Sequence, residues 1–204
     1  MPWPTDLPLV AILRGITPQE ATAHARALLD AGFAAIEVPT NSPGWAASVA
    51  AIAALAPQVL VGAGTVLSGE HLDALAQAGG RLAVTPHTDP ALIQASVARG
   101  FVALPGAMTP SEVFAAWRAG ATAVKIFPAG TLGPGHVKAL RAVLPGELPL
   151  LAVGGVSPAN LGEYLKAGCA GAGLGGELYR PGQSAQTTAA HAAAFVAAFR
   201  SATA

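Results

Sequence analysis

Lys125 stands in the middle of an apolar run, Ala123-Val-Lys-Ile-Phe-Pro-Ala-Gly130, and is one of three lysines in the chain. The other two, Lys138 and Lys166, fall in helical patterns with polar faces. β-Branched and aromatic neighbours desolvate an ammonium group, which makes the free amine available near neutral pH. Such an amine attacks carbonyl carbon. An alternative is that Lys125 merely ends a strand and extends its head group to solvent. Glu37, between Ile36 and Val38, is the one acidic residue of eleven embedded in a strand-like run. Burying it without a partner would cost about 2 to 7 kcal/mol. It either forms a structural ion pair with Lys125 or Arg14, or serves as an acid and base.

The residue types define a chemistry. An amine that condenses with a 2-keto acid gives an iminium, an electron sink for breaking or making the adjacent carbon–carbon bond. A carboxyl group beside it moves protons, work worth about 10² to 10⁴ in rate. The planar fork of Arg14 suits a carboxylate, and Thr65 can hydrogen-bond the same end. Glycine pairs at Gly154-Gly155 and Gly175-Gly176 bring bare backbone N–H groups together, as a phosphate site requires, with a helix start expected after the first pair at Ser157-Pro158. No cofactor is called for. His24, His71, His136 and His191 read as helix-surface residues, and His87 has no second histidine or cysteine at ligand spacing, so no metal site is expected.

These groups lie far apart in sequence, so the fold must assemble them. A short apolar strand followed by a helix recurs about every 19 to 25 residues. Strands are expected at 9–14, 35–39, 59–66, 82–86, 101–105, 123–128, 148–153 and 171–174, each nearly continuous in apolar residues, as in a parallel sheet covered on both faces. Helix starts are signalled at Thr17-Pro18, Ser42-Pro43, Ser68, Thr88-Asp-Pro90, Thr109-Pro110, Gly133-Pro134 and Ser157-Pro158. Glycines at 32, 79, 100, 120 and 168 mark stops, and a last helix over about 186–200 carries Phe195 and Phe199. Eight such units predict an α/β fold, a single (β/α)8 TIM barrel over residues 1–204. An open doubly wound sheet ranks second, since no Gly-x-Gly-x-x-Gly follows the first strand. In a barrel the strand C-termini share one mouth, where Arg14, Glu37, Thr65, Pro86, Lys125 and the two glycine pairs would meet.

Composition narrows the classes. The formal net charge is zero and 11% of residues are charged, which excludes a basic nucleic-acid footprint or an anionic membrane surface. Mean hydropathy is +0.51, yet every apolar run falls short of the roughly 18 residues needed to span a bilayer. The single cysteine, Cys169, reads as an inert apolar residue in a reducing compartment. Residues 1–6 carry no secretory pattern, so a cytoplasmic location is expected.

Ile12-Leu-Arg-Gly15, Ile36-Glu-Val38, Val61-Gly-Ala-Gly-Thr-Val66, Thr85-Pro86, Lys125-Ile-Phe-Pro128 and Val153-Gly-Gly-Val156 resemble, in order and spacing, the class I aldolases for 2-keto-3-deoxy-6-phospho sugar acids. The resemblance implies Lys125 as Schiff-base lysine and Glu37 as proton shuttle. Arg14 and Thr65 would bind the pyruvate end, Pro86 would shape the pocket, and Gly155, Gly175 and Gly176 would contact phosphate. Pyruvate and a phosphorylated keto acid are the implied partners, and a homotrimer the implied assembly. Trp3 to Pro18, Asn41-Ser-Pro43 and Ala152-Val-Gly-Gly155 are most similar to the 2-dehydro-3-deoxy-6-phosphogalactonate branch. The gluconate branch typically has threonine where Val153 stands, and loss of that hydroxyl shifts the C4-epimer preference. Gly175-Gly176-Glu177 departs from relatives that carry a serine, and Glu177 must turn away from a bound phosphate. Rival readings are the gluconate epimer as substrate, a phosphosugar isomerase or epimerase on the same barrel, and a sugar-phosphate-binding protein.

Overall fold

The computed structural model describes residues 3–204; Met1 and Pro2, which begin the stretch read for a targeting signal, lie outside it. The strands are β1 (Leu9–Ile12), β2 (Ala35–Pro39), β3 (Leu60–Gly64), β4 (Leu82–Val84), β5 (Val102–Leu104), β6 (Gly106–Ala107), β7 (Val124–Ile126), β8 (Leu150–Val153) and β9 (Gly171–Leu174). The helices are α1 (Pro18–Asp30), α2 (Trp45–Leu55), α3 (Gly69–Gln77), α4 (Pro90–Ala98), α5 (Pro110–Arg118), α6 (Ala129–Arg141), α7 (Leu161–Lys166) and α8 (Ala185–Thr203).

All pairings are parallel, in the order β5-β4-β3-β2-β1-β9-β8-β7-β6. β5 and β6 are two halves of one barrel stave, separated by Pro105, which has no N–H to donate. The lower half pairs with β4 and the upper half with β7, while the Pro105 carbonyl accepts from Lys125 N–H at 2.9 Å. The ring therefore closes on eight staves, and the expected (β/α)8 barrel is what forms.

Period-two alternation sorts each strand's side chains. Val10, Ala35, Leu60, Leu82, Val102, Ala123 and Leu151 point inward and form one apolar cluster with Val84, Leu104 and Val153. Their neighbours Ala11, Ile36, Val61, Ala83, Ala103, Val124 and Ala152 point outward and pack beneath the helices. Two residues above Ala35 on the inner side is Glu37, and two above Ala123 is Lys125. The strand periodicity thus aims both ionisable side chains into the barrel, near its C-terminal mouth.

Several helix starts differ from expectation, two of them because the side chain of the proposed cap is used elsewhere. α5 starts at the expected Thr109, which forms a capping box with Glu112. Ser42 does not start α2; its Oγ accepts from Gly15 N–H at 2.9 Å, tying the β1 exit to the β2 exit, and left-handed Gly44 precedes the helix. α4 is capped by Asp89, since Thr88 Oγ1 donates to the Gly106 carbonyl at 2.8 Å. α6 begins at Ala129 and kinks at Gly133, the expected start. No helix starts at Ser157-Pro158. Ser157 N–H donates to Asn160 Oδ1 at 2.8 Å, making a turn, and α7 begins only at Leu161. α8 runs longer than expected and packs on α1 and α7 with Phe195 and Phe199 buried.

His24 corrects the surface reading given to it: it is 3% exposed, and its Nδ1 lies 2.8 Å from Thr188 Oγ1, between α1 and α8. Cys169 is buried, which pushes its thiol up to about 12 and leaves it unreactive. No helix among the described residues is long and apolar enough to cross a membrane.

Candidate active site

A cavity of about 310 Å³ opens at the C-terminal ends of the strands. All ten residues singled out from sequence line it: Arg14, Glu37, Thr65, Pro86, Lys125, Val153, Gly154, Gly155, Gly175 and Gly176. Seven of the eight staves contribute side chains or backbone, so only barrel closure brings them together.

Lys125 is 7% exposed and Glu37 3%. Burial pushes the lysine down to about 8, against the opposing pull of the Glu37 carboxylate, while the Arg14 charge adds to the lowering. Burial likewise pushes the glutamate up to about 7, opposed first by Lys125, then by Arg14 and the Gly64 N–H. Neither ion pair among the described residues includes Glu37, and its Oε2 has no hydrogen-bond partner. The alternative of a tight structural ion pair is therefore not what forms. Two titrating groups share a pocket with their proton affinities drawn toward neutrality, the condition for a nucleophilic amine beside an acid and base.

Glycines on adjoining staves make the space. A methyl group on Gly64 would fall on the Glu37 carboxylate, and one on Gly106 would meet Lys125 Cε at 3.0 Å. The Lys125 Nζ lies 5.1 Å from the centroid of the Phe127 ring, two residues along the same face, where the ring stabilises a cation without donating a hydrogen bond.

The rim is organised by side chains that touch one another. Arg14 donates to Asn41 Oδ1 at 2.7 Å, which fixes one edge of the guanidinium and leaves the rest over the cavity. Thr65 has φ 54°, the one positive value outside glycine among the described residues. A β-branched residue there is strained by about 1 to 2 kcal/mol. Val153 packs against Gly173, where a Cβ would lie 2.9 Å from its Cγ2, so an apolar wall of fixed position stands next to the glycine loop.

Gly154 and Gly155 both have positive φ, 93° and 74°. The Gly154 carbonyl accepts from Gly130 N–H at 2.8 Å, and the Gly155 carbonyl accepts from Asn160 Nδ2 at 2.9 Å. Both carbonyls are thereby committed away from the cavity. An anion here would meet loop amides, not a helix N-terminus, which revises the Ser157-Pro158 expectation. On the adjoining stave, Glu177 lines the cavity with Gly175 and Gly176. Arg180 donates to Glu177 Oε1 at 3.2 Å and to the Gly176 carbonyl at 2.8 Å. The carboxylate that departs from the serine-bearing pattern is therefore partly neutralised by a cation one turn on.

Ile12, Phe127, Val156 and Gly173 also line the cavity and were not singled out from sequence. Phe127 and Ile12 were findable by counting two residues from Lys125 and from Arg14. Val156 and Gly173 carried no chemical signal.

A family model described as KDPG and KHG aldolase matches residues 4–190. The 2-dehydro-3-deoxy-6-phosphogalactonate aldolase of Escherichia coli (strain K12) is 54% identical over 203 residues, 99% of each chain. A solved structure described as native KDPGal superposes with a TM-score of 0.96 at 53% identity, covering 100% of this chain and 99% of that one. A designed, cube-shaped porous cage made by fusing symmetric oligomeric domains matches with a TM-score of 0.95 at 54% identity, over 98% of this chain and 74% of that one.

Proposed function

The chain belongs to the KDPG and KHG aldolase family, and from that premise we propose that it is a Schiff-base lyase which reversibly cleaves 2-dehydro-3-deoxy-6-phosphogalactonate to pyruvate and D-glyceraldehyde 3-phosphate. The observation that carries the reading is the juxtaposition of a buried, deprotonation-prone Lys125 with an unpaired Glu37 at the barrel mouth.

The neutral Lys125 amine adds to the C2 carbonyl of the substrate, and loss of water gives the iminium. The C3–C4 bond then breaks, its electron pair moving into the iminium to form an enamine. The C4 hydroxyl proton passes to Glu37, and the aldehyde departs. Glu37 returns a proton to C3 and hydrolysis frees pyruvate, restoring the amine. Arg14 holds the C1 carboxylate with Thr65 beside it, and Pro86 closes the opposite wall. The glycine amides at 154–155 and 175–176 receive the phosphate, with Arg180 offsetting the charge of Glu177. Val153 presents no hydroxyl to C4, which favours the galactonate configuration. All of these steps use side chains and backbone alone, without a cofactor.

A homotrimer belongs to the same proposal. The designed cage supports a symmetric oligomer, and Leu67, Met108, Trp117 and Val143 expose large apolar surface that copies of the chain would cover. Light scattering would give a mass of three chains; a monomer mass would refute that assembly. A cytoplasmic location follows from substrates whose phosphates keep them from crossing membranes.

The deciding experiment is borohydride reduction in the presence of pyruvate. A stable mass increase mapped to Lys125 is expected. An unmodified protein, or label on Lys138 or Lys166, would overturn the mechanism.

A further inference from the structure

We infer that Thr40, which does not line the cavity, is a positioning residue that holds the Gly64–Thr65 segment so that one end meets Glu37 and the other presents the Thr65 side chain to substrate. The inference rests on the aldolase reading for its kinetic consequences but not for its structural one. Thr40 follows β2 three residues after Glu37, and it grips the end of β3 twice. Its N–H donates to the Gly64 carbonyl at 2.8 Å, and its Oγ1 donates to the Thr65 carbonyl at 2.6 Å. Next along the chain, Val66 N–H donates to the Val84 carbonyl at 3.0 Å.

The segment needs such a grip. Thr65 sits at φ 54°, and a β-branched residue stays in the left-handed region only where its surroundings over-determine it. The Oγ1 bond is the contact that fixes the orientation of the Thr65 carbonyl. Without it, the residue relaxes toward extended backbone and carries its side chain out of the cavity. Gly64, whose Cα packs directly against the Glu37 carboxylate and whose N–H favours the ionised form, shifts with it. One hydroxyl outside the pocket thereby sets two groups inside it.

Thr40→Val keeps the shape and the backbone N–H but deletes the hydroxyl. The expected result is a tenfold or greater loss in kcat/KM, carried mainly by KM for the keto acid. The Glu37-dependent limb of the pH profile should move upward, because an N–H that favours the carboxylate is weakened while Lys125 and Arg14, the other charges facing Glu37, stay in place. Thr40→Ser retains the hydroxyl and should restore both parameters to within about threefold. In a Thr65→Gly background, where left-handed backbone is unstrained, Thr40→Val should change kcat/KM less than twofold. An unshifted profile with wild-type kcat/KM, an equal loss in the glycine background, or failure of Ser to rescue would each overturn the inference. A crystal structure of Thr40→Val with Thr65 still left-handed would overturn it whatever the activity. Absence of a pyruvate adduct in the wild-type protein would instead defeat the aldolase reading and leave that structural readout standing.

Discussion

The lower and upper halves of the barrel interior are built on the same staves, with the same inward side chains alternating every two residues, yet they tolerate opposite chemistry. Below, Val10, Ala35, Leu60, Leu82, Val102, Ala123 and Leu151 fill the space with apolar groups. Above, one step along β2 and β7, stand Glu37 and Lys125. The lower layer gains from burial, roughly 25 cal/mol per Å² of apolar surface removed from water. The upper layer forgoes that gain and keeps two ionisable groups with raised and lowered proton affinities. What separates the halves is the open cavity and its glycines, Gly64 and Gly106, which leave room where the lower staves place side chains. Stability is concentrated below and reactivity above.

Lys125→Met makes the upper layer resemble the lower and should have the largest effect: activity falls by at least about 10⁴, and pyruvate adducts vanish in mass spectra. The same variant should be more stable than wild type at pH 7, by about 1 to 3 kcal/mol in urea titrations. The sign follows from the lysine. Its folded-state pKa is lowered to about 8 from 10.5, so the unfolded chain holds the proton more tightly. The resulting destabilisation is complete below about pH 8 and is relieved as pH rises toward 10.5. Equal stability of the two proteins across that range would blur the division between the halves.

Glu37→Gln should lower kcat by about 10² to 10⁴ while pyruvate labelling of Lys125 persists. Because the carboxylate holds the Lys125 pKa up, its removal should move the acid limb for adduct formation to lower pH. A limb that stays in place would mean the two groups do not sense each other.

The converse substitution, Ala123→Lys, puts an ammonium among apolar neighbours with no carboxylate and no opening. A loss of at least about 3 kcal/mol is expected in denaturant titration, and near-neutral behaviour would show that the lower layer is wetter than its packing implies. At the edge between the halves, Val153→Thr should shift the ratio of kcat/KM for the two C4 epimers roughly tenfold toward the gluconate form, measured by coupled pyruvate assay. An unchanged ratio would remove Val153 from epimer selection.

The smallest effect lies outside the barrel. Burial lowers the His24 pKa, partly opposed by Glu20, so the unfolded chain takes up the proton first as pH falls. Stability from this site is intact above about pH 6.5 and is lost below it. A thermal scan from pH 7 to 5 should fall less steeply for His24→Gln than for wild type, and parallel slopes would refute the linkage.

Much of the upper layer was legible because its chemistry violates its surroundings. A lysine and a glutamate inside β-branched runs stand out in any sequence, and the recurring strand, cap and glycine pattern predicted eight staves. Less legible were positions whose role depends on what lies across the fold. Ser42, Thr88 and Ser157 look like helix caps, but Ser42 and Thr88 bond residues on other staves, and Ser157 enters a turn closed by Asn160. His24 looks like a surface residue until α8 returns to cover it, more than 160 residues later in the chain. Glu177 reads as an obstacle to an anion until Arg180 is seen across its carboxylate.

By itself the sequence determined that side chains along each strand alternate between two faces, because a strand has a period of two regardless of context, and which residues are reactive, because that is a property of the residue type; which face turns inward came from the barrel. Tertiary structure alone decided how far up the barrel each one sits, and therefore whether it meets water or packing. It also decided that Thr65 adopts left-handed backbone under the grip of Thr40, and that the Glu37 carboxylate has no ion partner. Those outcomes follow from stave register and ring closure, which depend on contacts between residues tens to more than a hundred positions apart, and no local stretch encodes them.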